Sequence, residues 1–301
     1  MRILVSGSSG LIGSAISDAL TRDGHTISRL VRPSSSTRAQ SGDVLWDPIT
    51  GKFDAAAADG TDAVVHLAGA SIADGRWTAA RKQLLRTSRI EATRHLVESL
   101  AALARPPRIF LGASAIGYFG DRGDESLDEN SAPGNDFLAT LVQDWEREQA
   151  AAAGFAARVV SMRFGIVLAG NGGALPRMVT PFKFGAGGRL GSGRQWMSWI
   201  ALRDVVGIAR FALATASLAG PLDAVAPEPA RNSDFTRALA EVMHRPAIFP
   251  APVFALRLAL GEMADTLLLS SARVFPRRLE ASGYAFAQTD LRAALREAFG
   301  K

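Results

Sequence analysis

Apolar positions along the chain fall into two alternating rhythms. Ile3-Leu4-Val5 and Ala63-Val64-Val65-His66-Leu67 are short, nearly unbroken apolar runs and read as buried strands. Between them, Ile12, Ala15, Ile16, Ala19 and Leu20 recur at helical spacing until Gly24 ends the helix. The same reading predicts strands from His25 to Val31, Arg108 to Gly112 and Ala157 to Met162. It predicts a helix from Ser88 to Leu103, with Ile90, Thr93, Leu96, Val97 and Leu100 on one face and Pro106-Pro107 beyond its end, and another from Phe137 to Ala153. Strands alternating with helices imply parallel βαβ units and an α/β, Rossmann-type doubly wound sheet.

After Arg163 the rhythm changes. Residues 170–193 are rich in glycine, interrupted by proline and aromatics, and read as a loop-rich segment. Asp204 to Ala216 reads as a helix, and Leu222 to Val225 as a short strand able to rejoin the sheet. The expected organisation is a Rossmann core over 1–168, rejoined by 200–226, with a small C-terminal α+β substrate lobe built from 169–199 and 227–301.

Composition narrows the options. At 301 residues, 48% hydrophobic and 21% charged, the chain has ordinary globular composition and is long enough for a large core. The absence of cysteine removes disulfides, thiolate catalysis and Cys-ligated metals, and fits a cytoplasmic location. The N-terminus reads as lacking a signal peptide, and the apolar stretch from Phe254 to Leu269 is broken by Arg257, Glu262 and Asp265, so no membrane span is expected. A net charge of +5 suits anionic ligands such as phosphates. The basic residues are dispersed, which argues against nucleic acid.

The strongest chemical signal is Gly7-Ser8-Ser9-Gly10-Leu11-Ile12-Gly13, which follows a strand and opens a helix. Gly7 allows the tight turn, Gly10 lets the backbone approach a pyrophosphate, and Gly13 lets helix and strand pack closely. The amides of Leu11 and Ile12, at a helix N-terminus, favour the anion. About 20 residues beyond the glycines, where NAD-binding folds carry an acid, stands Arg32, whose planar donor fork suits a 2′-phosphate. Ser34, Ser35 and Ser36 offer hydroxyls beside it. The expected cofactor is NADP(H).

Together with the glycine turn, several further pieces resemble the epimerase-like branch of the extended short-chain dehydrogenase/reductase superfamily. They are Trp46-Asp47-Pro48, Leu67-Ala68-Gly69-Ala70, Arg76-Trp77, Ser88-Arg89, Ser114 through Gly120, Asp144-Trp145-Glu146, Gly191-Ser192-Gly193, Ser198-Trp199-Ile200 and Gly261-Glu262. The resemblance spans nearly the whole chain and implies NADP(H) binding, with Leu67, Ala68, Gly69 and Arg89 at the cofactor. It supplies no substrate. The superfamily's working pair is a tyrosine and a lysine four apart on one helix, the lysine activating the tyrosine for proton transfer. This chain has two tyrosines and neither forms such a pair: Tyr118 is followed by Arg122, and Tyr284 by Gln288. Phe137 and Leu141 stand where the pair belongs.

Ser114, at a strand end, and Tyr118, in the glycine-flanked turn after it, are the candidate catalytic residues. Each can instead be read as a capping or packing residue. Arg163 ends a strand where ligands of open sheets gather and could meet cofactor or an anionic substrate; a surface ion pair is the alternative. His25, His66, His95 and His244 are scattered, His66 reading as a packed strand residue, and no spacing suggests a metal. Two functions remain: an NADP(H)-dependent oxidoreductase or epimerase for a small molecule, or a non-catalytic NADP(H)-binding sensor acting through a protein partner. A homodimer through the helices from Ser88 to Leu103 and Phe137 to Ala153 is expected by analogy.

Overall fold

The computed structural model describes residues 1–33 and 41–300. Its centre is a seven-stranded, wholly parallel sheet. The strands are β1 (Arg2–Ser6), β2 (Thr26–Val31), β3 (Val44–Leu45), β4 (Ala63–His66), β5 (Ile109–Ala115), β6 (Arg158–Phe164) and β7 (Gly220–Ala224). They lie in the order β7-β6-β5-β4-β1-β2-β3. The order reverses between β1 and β4, which opens a crevice at their carboxyl ends, the usual ligand position in such sheets.

Strand alternation splits the core into two layers. Ile3, Val5, Ala63, Val65 and Leu111 face a cluster with Ile16 and Leu20 of α1 (Leu11–Arg22) and with Val205, Ile208 and Leu213. Leu4, Val64 and Phe110 point the other way, against Leu96, Val97 and Leu100. A further hydrophobic cluster contains Leu175, Phe182, Trp199, Phe235, Leu239 and Leu295.

Two segments differ from expectation. The helical run expected from Ser88 begins earlier, as α2 (Ala79–Arg86), passes through a π-helical segment at Thr87–Glu91, and continues as α3 (Ala92–Ala101). The start is hard to read because α2 buries only Leu85; what fixes it is Thr78, whose hydroxyl accepts the Arg81 N–H at 3.2 Å. Within the glycine-rich stretch, Leu175–Lys183 is a helix. Leu175, Val179 and Phe182 supply a buried stripe at helical spacing, and Pro176 sits in the first turn, where its missing N–H costs nothing. The helix after β5, α4 (Phe137–Ala150), is capped by Asp136, whose carboxylate accepts the Ala139 N–H at 2.8 Å. Among the described residues no helix is long and apolar enough to cross a membrane.

Candidate functional site

The crevice is walled by backbone. Gly7 adopts φ +67°, and a Cβ there would lie 2.9 Å from the Leu67 carbonyl carbon and oxygen. At Gly13 a Cβ would run into the Gly7 carbonyl oxygen. Gly10 is the N-cap of α1 and brings no side chain to it, so the first amides of the helix, Leu11 and Ile12 among them, stay open toward the crevice. This cradle fits a dinucleotide pyrophosphate, which needs close backbone approach and unspent N–H donors.

A buried polar chain fixes the second wall. Ser6 Oγ accepts the N–H groups of Leu67 and Ala68 at 3.0 and 3.1 Å, so its own proton goes to His66 Nδ1 at 2.7 Å. His66 must then carry its proton on Nε2 and donate to Thr93 Oγ1 at 3.0 Å, where Trp145 Nε1 also donates at 3.0 Å. Burial pushes the His66 pKa down to about 4, so the ring is neutral. Above this chain lies Arg89, carried on the π-helical segment, with its guanidinium 5.2 Å from the Trp145 ring centre. A Cβ on Gly69 would stand 3.3 Å from the Arg89 guanidinium carbon. Arg89 Nη1 is buried and has no partner, and burial, aided by the charge of Arg81, pushes its pKa down to about 10. An orphaned cationic donor beside the Leu67–Gly69 loop is a second feature that fits a bound polar cofactor. Arg32 directly follows β2 and is exposed; Ser34, Ser35 and Ser36 lie outside the described residues.

The neighbouring end of the sheet is built differently. Ser114, 3% exposed, donates its hydroxyl proton to Glu146 Oε1 at 2.5 Å. Glu146 also takes Arg163 Nε and Nη2, both at 2.8 Å. The Arg163 guanidinium lies 3.5 Å from the Tyr118 ring centre, while its buried Nη1 is unpartnered. Burial opposes the charge on Arg163, but the Glu146 hydrogen bonds and charge outweigh it and raise the pKa. Ser114, Arg163 and Asp223 sit side by side in register on β5, β6 and β7. Asp223 is fully buried, both carboxyl oxygens lack partners, and burial followed by repulsion from Glu129 pushes its pKa well up. Sequence reasoning found Ser114, Tyr118 and Arg163 and brought them to one sheet end. It missed Glu146, which joins Ser114 to Arg163, although Glu146 belongs to the quoted Asp144-Trp145-Glu146 motif.

Phe137 and Ala115, the residue after Ser114, are both partly buried against one hydrophobic cluster. Around them stand Trp77, Ile90, Leu138, Leu141, Val142 and Met263, with Ala70, Ile72, Tyr118, Leu260 and Leu267 partly buried against them. Phe137 meets Trp77 edge-on, ring centres 5.3 Å apart. At the rim, Lys82 Nζ sits 4.7 Å over the Phe137 ring and 2.6 Å from Glu262. Ala70 directly follows the Leu67–Gly69 loop, so the apolar cluster begins where the cofactor cradle ends. Among the described residues no group of acids and histidines could hold a metal.

A parallel doubly wound sheet and a glycine cradle at its switch point together define a Rossmann-type dinucleotide-binding protein. The particular family follows from comparison: residues 3–223 match the NAD dependent epimerase/dehydratase family, and residues 251–298 match a domain of unknown function, DUF1731. The chain belongs to that epimerase/dehydratase family. An epimerase family protein of Mycobacterium leprae is 42% identical over 97% of this chain and 94% of its own length. YfhF of Bacillus subtilis is 36% identical over 98% and 97% respectively. The crystal structure of human epimerase family protein SDR39U1 with NADPH superposes with a TM-score of 0.89 at 32% identity, covering all of both chains. A UDP-glucuronic acid 4-epimerase from Bacillus cereus shares the fold, with TM-score 0.79 at 16% identity.

Proposed function

We propose that this protein binds NADP(H) across the carboxyl ends of β1 and β4 and uses it in oxidoreductase or epimerase-like chemistry on a small molecule, without a Tyr–Lys couple. The observation that carries this reading is the cradle in which Gly7 and Gly13 exclude any Cβ while the α1 amides stay uncapped. A human relative crystallised with NADPH supports the same ligand. Gly7, Gly10, Leu11, Ile12 and Gly13 hold the pyrophosphate, and Arg32 takes the 2′-phosphate. The Leu67–Ala68–Gly69 loop and Arg89 line the opposite wall. When bound, the dinucleotide supplies a two-electron hydride donor or acceptor. Ser114 and Tyr118 act at the nicotinamide end by holding the Glu146–Arg163 pair in place. Cofactor titrations test this: NADPH is expected to bind more tightly than NADH, and Arg32→Ala to weaken NADPH about tenfold while sparing NADH, the loss of roughly one charge-assisted contact. Equal affinity of the unaltered protein for both cofactors would overturn the NADP(H) assignment.

The apolar Ala115, Phe137 and Leu141 favour a second reading, a sensor that binds NADP(H) and acts through a partner. Tight NADPH binding with no oxidation across a panel of carbonyl compounds would select it. Pairing of α3 and α4 with their symmetry mates would make the protein a homodimer, and a monomeric mass by light scattering at micromolar concentration would reject that assembly.

A further inference from the structure

The helix Val253–Leu260 breaks a rule that the rest of the chain obeys. Seven of its eight residues are apolar, yet none is buried. A helix apolar on nearly every side belongs under cover. Phe254 and Leu258 stand on its outer face, and Phe184, Ile248 and Phe249 project from the turns next to it. These five side chains are 59–83% exposed, and among the described residues they make up five of the nine large apolar side chains left exposed. They share one ridge because the backbone ties their segments together. Leu190 and Ala251 bridge in parallel. The Phe249 N–H donates to the Gly187 carbonyl at 3.3 Å, Ala251 to Arg189 at 2.9 Å, and Gly191 back to Ala251 at 2.9 Å. Phe184 lies three residues before this ladder, and the apolar helix begins two residues after it.

Charge follows the same two segments. Residues 175–192 and 244–261 hold Arg177, Lys183, Arg189, Arg245 and Arg257, and no Asp or Glu. The net charge of the chain is +5, so these segments account for all of it and the remainder sums to zero. From outside the segments, Asp74 pairs with Arg177 and Asp265 with Arg257. Among the described residues Lys183, Arg189 and Arg245 pair with no carboxylate. The helix Asn232–Met243, tied to the ridge by the Leu190 N–H on Asn232 at 2.8 Å, adds no surplus of acid, because its Asp234 and Glu241 pair with Arg237 and Arg292.

We propose that this ridge docks on the surface of an anionic phospholipid bilayer, with Phe254 and Leu258 entering the boundary between headgroups and acyl chains and Lys183, Arg189 and Arg245 facing acidic headgroups. Apolar side chains that protrude singly, each in a segment that also carries a cation, suit a bilayer better than a protein. A protein partner must offer a matched pocket for each of them, whereas a lipid surface accepts them wherever they fall. Cation stems lie along the apolar boundary while their charges meet the headgroups. At eight residues the helix lies on such a surface without spanning it. The proposal is independent of the NADP(H) reading.

The test is flotation of the full chain with two kinds of vesicle, phosphatidylcholine alone and phosphatidylcholine with phosphatidylserine at about 3:1. At low salt the protein is expected to float with the mixed vesicles at least about tenfold more than with phosphatidylcholine, and to be released as salt rises from about 0.05 to 0.5 M. Changing Phe254→Ser and Leu258→Ser together is expected to lower binding at least about tenfold at fixed salt, through lost apolar burial. Should that protein not fold, Lys183→Gln with Arg189→Gln carries the test, with binding to the mixed vesicles weakened and its salt dependence flattened. Equal flotation with both vesicles, no flotation at low salt, or binding indifferent to both pairs of changes would overturn the proposal. So would a dimer, seen by light scattering, that dissociates on Phe254→Ser, because the ridge would then belong to a second copy. Tight binding of a peptide of alternating glutamate and leucine, with no flotation, would overturn it in favour of an acidic protein partner.

Discussion

The cofactor cradle and the apolar cluster beside it touch at Ala70 but obey different rules. The cradle is made of backbone: glycines at Gly7 and Gly13 that tolerate no Cβ, open amides at the start of α1, and a loop held by Ser6 and His66. The cluster is made of side chains, and at Ala115, Phe137 and Leu141 none can transfer a proton. On the proposed reading, cofactor binding rests on backbone and the chemistry beside it on side chains, so the two are separately encoded. A backbone site survives changes in almost any side chain except glycine, whereas the reactive end changes its chemistry with a handful of substitutions on an unchanged scaffold.

The largest expected effect comes from attacking the support of the reactive end. Glu146→Ala leaves the Arg163 guanidinium buried and unpaired, and is expected to cost about 3–5 kcal/mol in denaturant unfolding. A loss under about 1 kcal/mol would show that the buried pair is replaceable by water. If NADPH affinity of the folded variant fell in parallel, the two regions would not be separable. Striking the cradle instead, Gly13→Ala forces a methyl against the Gly7 carbonyl, and NADPH binding is expected to weaken at least about 100-fold, or roughly 2.8 kcal/mol. Unchanged NADPH affinity in a folded Gly13→Ala protein would mean that the pyrophosphate does not sit here.

His66 gives a smaller, pH-dependent probe of the wall between the regions. Its folded pKa of about 4 lies below the ordinary histidine value near 6.5, so the unfolded chain binds more protons between these limits and stability falls as pH drops. From pH 6.5 to 5 the loss is expected to be about 1.6 kcal/mol, since the slope reaches its full value of roughly 1.4 kcal/mol per pH unit only below the unfolded pKa. Asp223, whose carboxyl is raised by burial, acts in the opposite sense, losing stability as pH rises through its folded pKa. The comparison is therefore made against His66→Asn, which should flatten the difference; identical pH profiles for the two proteins would remove the histidine from the account. The smallest effect concerns the rim. Thr78→Ala removes the α2 cap and should cost about 1 kcal/mol while leaving NADPH affinity intact, and an equal loss of affinity would tie α2 to the cradle.

The sequence by itself determined the parallel α/β architecture, the glycine turn and the missing Tyr–Lys pair. These are local matters: a period of apolar residues, a strand–turn–helix junction with glycines at fixed spacing, and two residue identities four apart. It did not place the start of α2, because a helix burying only Leu85 leaves almost no periodic signal. Nor did it see the helix at Leu175–Lys183, where glycine and proline nearby outweighed three buried apolar positions. Only the tertiary structure decided that Ser114 turns to Glu146 on α4, since which residues of β5 meet α4 depends on how the sheet is covered. The same holds for Arg163, whose burial against Glu146, Tyr118 and the β7 strand joins residues up to 105 positions apart in a chain of 301. Long-range charge pairing of that kind leaves no periodicity to read, because it arises only when packing excludes water from groups that the sequence keeps apart.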